Sequence, residues 1–182
     1  MTPEQSSVLS VINTTNAAHF SNWFLSSSVM AVVQVESAFR QFARRYEPRI
    51  HDASYGYMQL LSQTAAALHS GDGTQLYLSP VFPHMPDPGD LPNNPSIING
   101  TLYDPPINIL CGMTYLRQGW DVLERAFGRA PTLSEWFAGY NEGYGAAARG
   151  RPDPAYTHII IPAFEHWLIT LSEQDRAAGL VR

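Results

Sequence analysis

Glu36 is the acidic side chain whose neighbours suit proton transfer. Val29, Val32, Val33, Glu36 and Phe39 recur at helical spacing between about Asn22 and Ala43, so the carboxyl shares a stripe with core-facing valines. The Val-Gln-Val alternation before Glu36 also fits a strand, but the length of the apolar pattern favours a helix. A carboxyl among apolar groups keeps its proton to higher pH. Such a proton is what a leaving oxygen needs when a glycosidic bond breaks and positive charge builds on the sugar ring. A lone glutamate on a helix is far more often solvated or salt-bridged, so its neighbours along the chain carry the weight.

Other residues could join such chemistry. Glu47 and Asp52 are candidate second carboxylates, which would permit a hydrolytic mechanism by holding a water across the ring, although partnership with Arg44, Arg45 or Arg49 is the simpler reading. Tyr55, Tyr57 and Tyr144 fall in predicted loops and are candidates for stacking on glycan rings, whereas Trp120, Trp136 and Trp167 read as core. Cys111 is the sole cysteine and reads as a core residue, so no disulfide forms within the chain and no multi-thiolate metal site can be built. The six histidines show no HExxH pattern, and neither a metal nor a cofactor is expected.

Four segments stand in order along the chain: Val35-Glu36-Ser37-Ala38-Phe39, Ala53-Ser54-Tyr55-Gly56-Tyr57-Met58-Gln59-Leu60, Leu102-Tyr103-Asp104-Pro105-Pro106-Ile107-Asn108-Ile109 and Ala138-Gly139-Tyr140-Asn141-Glu142-Gly143. Together, spanning residues 30–165, they resemble the lytic transglycosylase family, soluble lytic transglycosylase-like and goose-type lysozyme-like. The first is similar to its catalytic Glu-Ser segment at a helix end, and the second to Gly-Ala-x-Gly-Leu-Met-Gln-Leu with Tyr57 in place of Leu. The third is similar to Leu-Phe-Asp-Pro-x-x-Asn-Ile, and the fourth to Ala-Ala-Tyr-Asn-Ala-Gly.

The resemblance implies an α-rich lysozyme-like fold that cuts the β-1,4 bond between N-acetylmuramic acid and N-acetylglucosamine in peptidoglycan without adding water. Glu36 would protonate the bridging oxygen and then, as carboxylate, take the proton of the muramoyl C6 hydroxyl as it closes on C1 to a 1,6-anhydro sugar. It also implies that Tyr140 hydrogen-bonds near Glu36, that Gln59 and Met58 shape the wall of the site, and that Asn141 anchors a turn or a sugar. Ser54 would offer its hydroxyl to an acetamido group. The pattern departs in two places. The family's serine sits nearer the glutamate, this chain carrying extra residues between them, and Leu61 stands where goose-type relatives carry an acidic residue, so hydrolysis is the alternative chemistry.

The elements that must position these groups are mainly helical. Residues 46 to 59 contain Pro48 and Gly56 amid polar groups and read as a loop or short hairpin. A helix should follow, capped by Ser62, running through Ala65 to Leu68 and stopped by Gly71. Prolines 80, 83, 86, 88, 92, 95, 105 and 106 mark a long loop over about residues 79–106, passive or covering a groove. Asp104, which helix capping explains fully, and Pro105 open a helix with the stripe Ile109, Leu110, Met113, Leu116, Trp120, Leu123 and Phe127, ended by Gly128. Thr132 and Glu135 form a capping box for a short helix into Tyr140 and the Gly143/Gly145 turn. A last helix runs from Pro154 to about Glu173, interrupted or kinked at Pro162. With no repeat and no clear linker, residues 1–182 read as a single mainly α catalytic domain.

Bulk properties exclude several classes. The chain has 182 residues, 45% hydrophobic, with a formal net charge of -5. Its eleven basic residues are all arginine, scattered except for Arg44-Arg45 and Arg149/Arg151, so a nucleic-acid face is not expected, and any attraction to an anionic cell wall must come from local arginines. No stretch has the roughly 18 apolar residues of a membrane span, and the N-terminus lacks the basic and apolar regions of a secretory signal. A monomer acting on peptidoglycan glycan strands in the periplasm, outside the cell or delivered by a virion is expected. A muramidase such as a phage endolysin, or a wall-binding component without turnover, are the competing functions.

Overall fold

The structure, a computed structural model, describes residues 1–69, 101–150 and 154–177, with side chains to residue 173. It is mainly α, as the periodicity predicts: α1 (Pro3–Phe20), α2 (Ser26–Ser37), α3 (Ser62–Ala66), α4 (Pro105–Phe127), α5 (Leu133–Glu142), α6 (Tyr144–Ala147) and α7 (Pro154–Ala177) accompany strands β1 (Arg44–Glu47), β2 (Asp52–Tyr55) and β3 (Leu60–Leu61). Most of the predicted proline-rich loop, and the Gly71 stop signal, lie outside the described residues. No described helix is long and apolar enough to cross a membrane. The chain divides into two compact units, Met1–Asn22 with Glu36–Thr114, and Trp23–Val35 with Tyr115–Arg182.

In the first unit, α1 opens on a capping box. The Thr2 hydroxyl accepts from Gln5 N at 3.2 Å, and the Gln5 side chain accepts from Thr2 N at 2.8 Å, with Pro3 in the first turn. The three strands form an antiparallel sheet in the order β1-β2-β3, with Arg44 opposite Tyr55, Glu47 opposite Asp52 and Tyr55 opposite Leu60. The hairpin reading of residues 46 to 59 is therefore realised, with its first strand beginning two residues earlier. All four β2 residues are buried. Ser62 is the first residue of α3 rather than its cap. The Asp52 carboxylate takes that place, accepting from the Ser62 hydroxyl and from Gln63 N at 3.1 Å. The helix ends at Ala66, short of the predicted Leu68.

The second unit gathers aromatic rings. Trp23 lies edge-on to Trp120 at 5.5 Å and to Trp136 at 5.9 Å, with the Arg117 guanidinium 4.5 Å from the Trp23 centroid. Two indole N–H groups have partners: Trp136 donates to Leu116 O at 2.8 Å and Trp167 to Gln34 Oε1 at 2.7 Å. Trp136 and Trp167 are buried as predicted, Trp120 half-buried. Gly128 stops α4 at φ 66, where a left-handed residue favours glycine. The Thr132 and Glu135 capping box starts α5, which packs against α6 and α7. Helix α7 runs through Pro162 without interruption and ends four residues beyond Glu173.

Candidate active site

Glu36 stands in the last turn of α2, half-buried, while Val29, Val32 and Val33 of the same helix are fully buried. The predicted helix extends to about Ala43; the observed one ends at Ser37, because Ala38 and Phe39 adopt φ 50 and φ 62. Two successive left-handed residues that are not glycine cost on the order of 1–2 kcal/mol each. Buried Phe39 anchors the turn, and the Ser37 carbonyl accepts from Arg40 N at 3.1 Å and Arg40 Nε at 3.0 Å. The sharp exit re-aims the chain so that residues 40 to 45 return past Glu36 as the wall of a cleft.

That cleft encloses ≈ 840 Å³ and is lined by Glu4, Glu36, Arg40, Gln41, Phe42, Ala43, Arg44, Arg45 and Gln59. Its wall is held from behind: Gln41 Nε2 donates to Tyr103 O at 3.0 Å, and the Phe42 and Tyr103 ring centroids are 5.7 Å apart. Phe42 keeps 39% of its surface exposed, an apolar face beside polar groups.

Gln59 ties the opposite side together from a left-handed backbone at φ 46. Its Nε2 donates to Ala43 O and Gly56 O, each at 3.0 Å, and its Oε1 accepts from the Ser54 hydroxyl at 3.0 Å. With both amide protons committed, Gln59 shapes the cleft instead of offering a donor to it. Behind it, fully buried Asn108 accepts from Met58 N at 2.8 Å and donates to Tyr55 O and Leu102 O, each at 2.9 Å. Gly56, at φ 75, lies so close under Asn108 and Leu102 O that a Cβ there would collide with both. The second and third sequence segments thus meet as one bonded unit.

Several expected contacts with substrate are not placed to occur. Tyr55 is on β2 at 3% exposure, and Tyr57 retains 6%, so neither presents a ring face for stacking. Burial, then the neighbouring Glu4 carboxylate, pushes the Tyr57 phenol up to about 12. Met58 is fully buried with its sulfur against Gly112 and does not line the cleft. Ser54 is 1% exposed and spends its hydroxyl proton on Gln59. The alternation of residue types around Gly56 resembles a loop, but the strand buries both faces. Asp52 is buried as the α3 cap, and Glu47 pairs with Arg45 at 2.6 Å, which leaves neither placed to activate a water.

In the second unit, Tyr140 is buried on α5, its ring centroid 5.4 Å from that of Tyr115, and Asn141 is exposed one residue on. Tyr144 is not a loop residue. It begins α6 at 5% exposure, its ring pressed against Gly119 and Gly139, and burial raises its phenol well above the ordinary value. That hydroxyl has no hydrogen-bond partner among the described residues.

The sequence pattern does not single out Glu4, Arg40 or Phe42 as cleft residues. Glu4 carried one usable signal, the Thr2-Pro3-Glu4-Gln5 helix start that places it in the first turn of α1. Among the described residues no group of three His, Cys, Asp or Glu side chains could hold a metal ion, and burial pushes the Cys111 thiol up to about 12, keeping it protonated. The cleft thus brings together one half-buried glutamate, a partly exposed aromatic ring and three arginines. No family model, curated protein or solved structure matches the chain.

Proposed function

We propose that the chain is a peptidoglycan lytic transglycosylase and that Glu36 is its acid and base. The observation that carries the reading is the position of Glu36: half-buried, on a helix end, in a ≈ 840 Å³ cleft shared with Gln59. The four ordered segments described above add to this, since two of them form the bonded unit around Asn108.

In the reaction the Glu36 carboxyl gives its proton to the oxygen bridging the muramoyl and glucosaminyl residues as the C1–O bond breaks. The departing sugar leaves with a free 4-hydroxyl. Glu36, now a carboxylate, takes the proton of the C6 hydroxyl as O6 bonds to C1. The strand ends in a 1,6-anhydro ring, no water is consumed, and Glu36 is again protonated. Each proton transfer contributes about 10²–10⁴-fold in rate when the group is well positioned. The resemblance adds Tyr140 to the machinery and Asn141 to substrate binding, the cell wall being the place of action.

Hydrolysis is the second reading, and Glu4 favours it as another carboxylate on the same cleft. The products separate the two. Digestion of purified sacculi followed by mass spectrometry is expected to yield muropeptides one water lighter than reducing-end products. Reducing ends alone would overturn the transglycosylase reading in favour of a muramidase, and sacculi that bind but are never cut would leave a wall-binding protein.

A further inference from the structure

Three tyrosines of the second unit, Tyr115 on α4, Tyr140 on α5 and Tyr144 at the start of α6, stand ring beside ring. The Tyr115 centroid is 5.0 Å from that of Tyr144 and 5.4 Å from that of Tyr140, its plane turned 61° and 60° from theirs, so one ring touches both of the others. Tyr144 cannot give way. It is buried, and it packs so closely on Gly119 and Gly139 that a Cβ at either would collide with its ring. The far end of Tyr115 is met as well: the Tyr144 N–H, one of the helix-start donors of α6, faces the Tyr115 hydroxyl oxygen. Burial raises that phenol's pKa, and the facing N–H pulls it back down. Tyr115 is half-buried on the flank of α4, while Met113 and Leu116 beside it are fully buried in the core. Filling the core does not by itself call for a flat ring at 115; supporting Tyr140 against a fixed neighbour does.

We infer that Tyr115 is a positioning residue for Tyr140: lodged between the immobile Tyr144 ring and Tyr140, it holds the Tyr140 phenol in one orientation for the reaction. This rests on the reading that places Tyr140 in the machinery. The support comes from the ring, since a planar group touching two others leaves Tyr140 fewer ways to turn than a flexible aliphatic chain would. A small loss of orientation is costly when a group must meet a reacting centre, up to about a hundredfold in rate for a displacement near 1 Å.

Initial rates of cleavage of soluble peptidoglycan strands, taken over a range of strand concentrations, test this. Tyr115→Leu is expected to lower kcat by about tenfold or more with KM changed by less than about twofold, because the substituted residue acts through Tyr140 and not on the strand. Tyr115→Phe, which keeps the ring, should retain kcat within about twofold. In a Tyr140→Phe background, Tyr115→Leu should cause no further loss of turnover, the two changes acting as a unit. If the leucine variant unfolds, Tyr115→Met fills the same space with a flexible chain and takes its place in each comparison. Losses that multiply in the double variant, a phenylalanine variant as impaired as the leucine one, or a change confined to KM would each overturn the inference while leaving the proposed reaction standing. Strands left uncut by the parent, or a Tyr140→Phe variant at full rate, would remove the role of Tyr140 and this inference together.

Discussion

Replacing Asn108 with alanine removes three hydrogen bonds at once, to Met58 N, Tyr55 O and Leu102 O, all between 2.8 and 2.9 Å from a side chain that has no exposed surface. A buried hydrogen bond contributes about 1 kcal/mol net, and a buried group left without a partner costs about 1–3 kcal/mol. Three partners set a floor near 3 kcal/mol. Water entering the vacated space can satisfy part of the remainder, so the expected loss is about 3–5 kcal/mol. Against a total stability of about 5–15 kcal/mol, that is a large share, and for a chain of this size it corresponds to roughly 6–20 °C in melting temperature. Asn108→Asp should be no better, because it keeps the acceptor for Met58 N but turns a carboxylate oxygen towards two carbonyls. The assay is urea unfolding followed by far-ultraviolet circular dichroism, comparing midpoints at unchanged slope. A loss below about 1 kcal/mol in either variant would refute the reasoning, since no network of three satisfied bonds could then be holding Tyr55, Met58 and Leu102 in place.

Four further outcomes are expected. Glu36→Gln should lower sacculus cleavage by at least about 10²-fold with an unchanged helical spectrum, and retained turnover would remove Glu36 from the mechanism. Tyr140→Phe should lower turnover by about tenfold or more while melting within a few degrees of the parent; unchanged turnover would remove Tyr140 from the machinery. Ala38→Gly relieves a left-handed alanine at an exposed position and should raise stability by about 0.5–1 kcal/mol in urea titration, where a fall would contradict the φ 50 geometry. Glu135 is held at about 2, first by its hydrogen bond with Arg129, so its stabilising share is present above the ordinary carboxylate value of 4.5 and is lost as pH falls towards 2. Acid unfolding of Glu135→Gln should therefore show a weaker dependence on pH across that window, by a fraction of a kcal/mol given the exposure of the pair.

The helices with long apolar stripes and chemical punctuation are legible in the sequence. Pro105 starts α4 and Gly128 ends it where the signals stand, and the Thr132/Glu135 box behaves as its spacing predicts. What escaped is physical in each case. The start of α1 had a capping box and a proline, but its buried residues, Val8, Ile12, Thr15 and Asn16, include two polar ones that blur the stripe. The end of α2 is set by Ala38 and Phe39 in a conformation neither residue type advertises. The cap of α3 comes from Asp52, ten residues before Ser62 and a neighbour only once the hairpin closes. Tyr55 and Tyr144 look like loop residues because local composition cannot report that β2 is buried along its length or that a helix begins at Tyr144. Glu36 and Gln59 were legible as cleft residues through their types and order, whereas the arginine wall depended on a turn whose direction was not.

Tyr144 has a consequence for how this chain can change over generations. Its ring occupies the space that a side chain on Gly119 or Gly139 would need, although those two positions lie on different helices. Adding even a methyl group at either glycine leaves the phenol nowhere to go, and trimming the phenol leaves a hollow beside both. The three positions are therefore expected to drift as a set: a natural variant with alanine at 119 or 139 should carry a smaller residue at 144, and a bulky pair at 119 and 144 should never be inherited together.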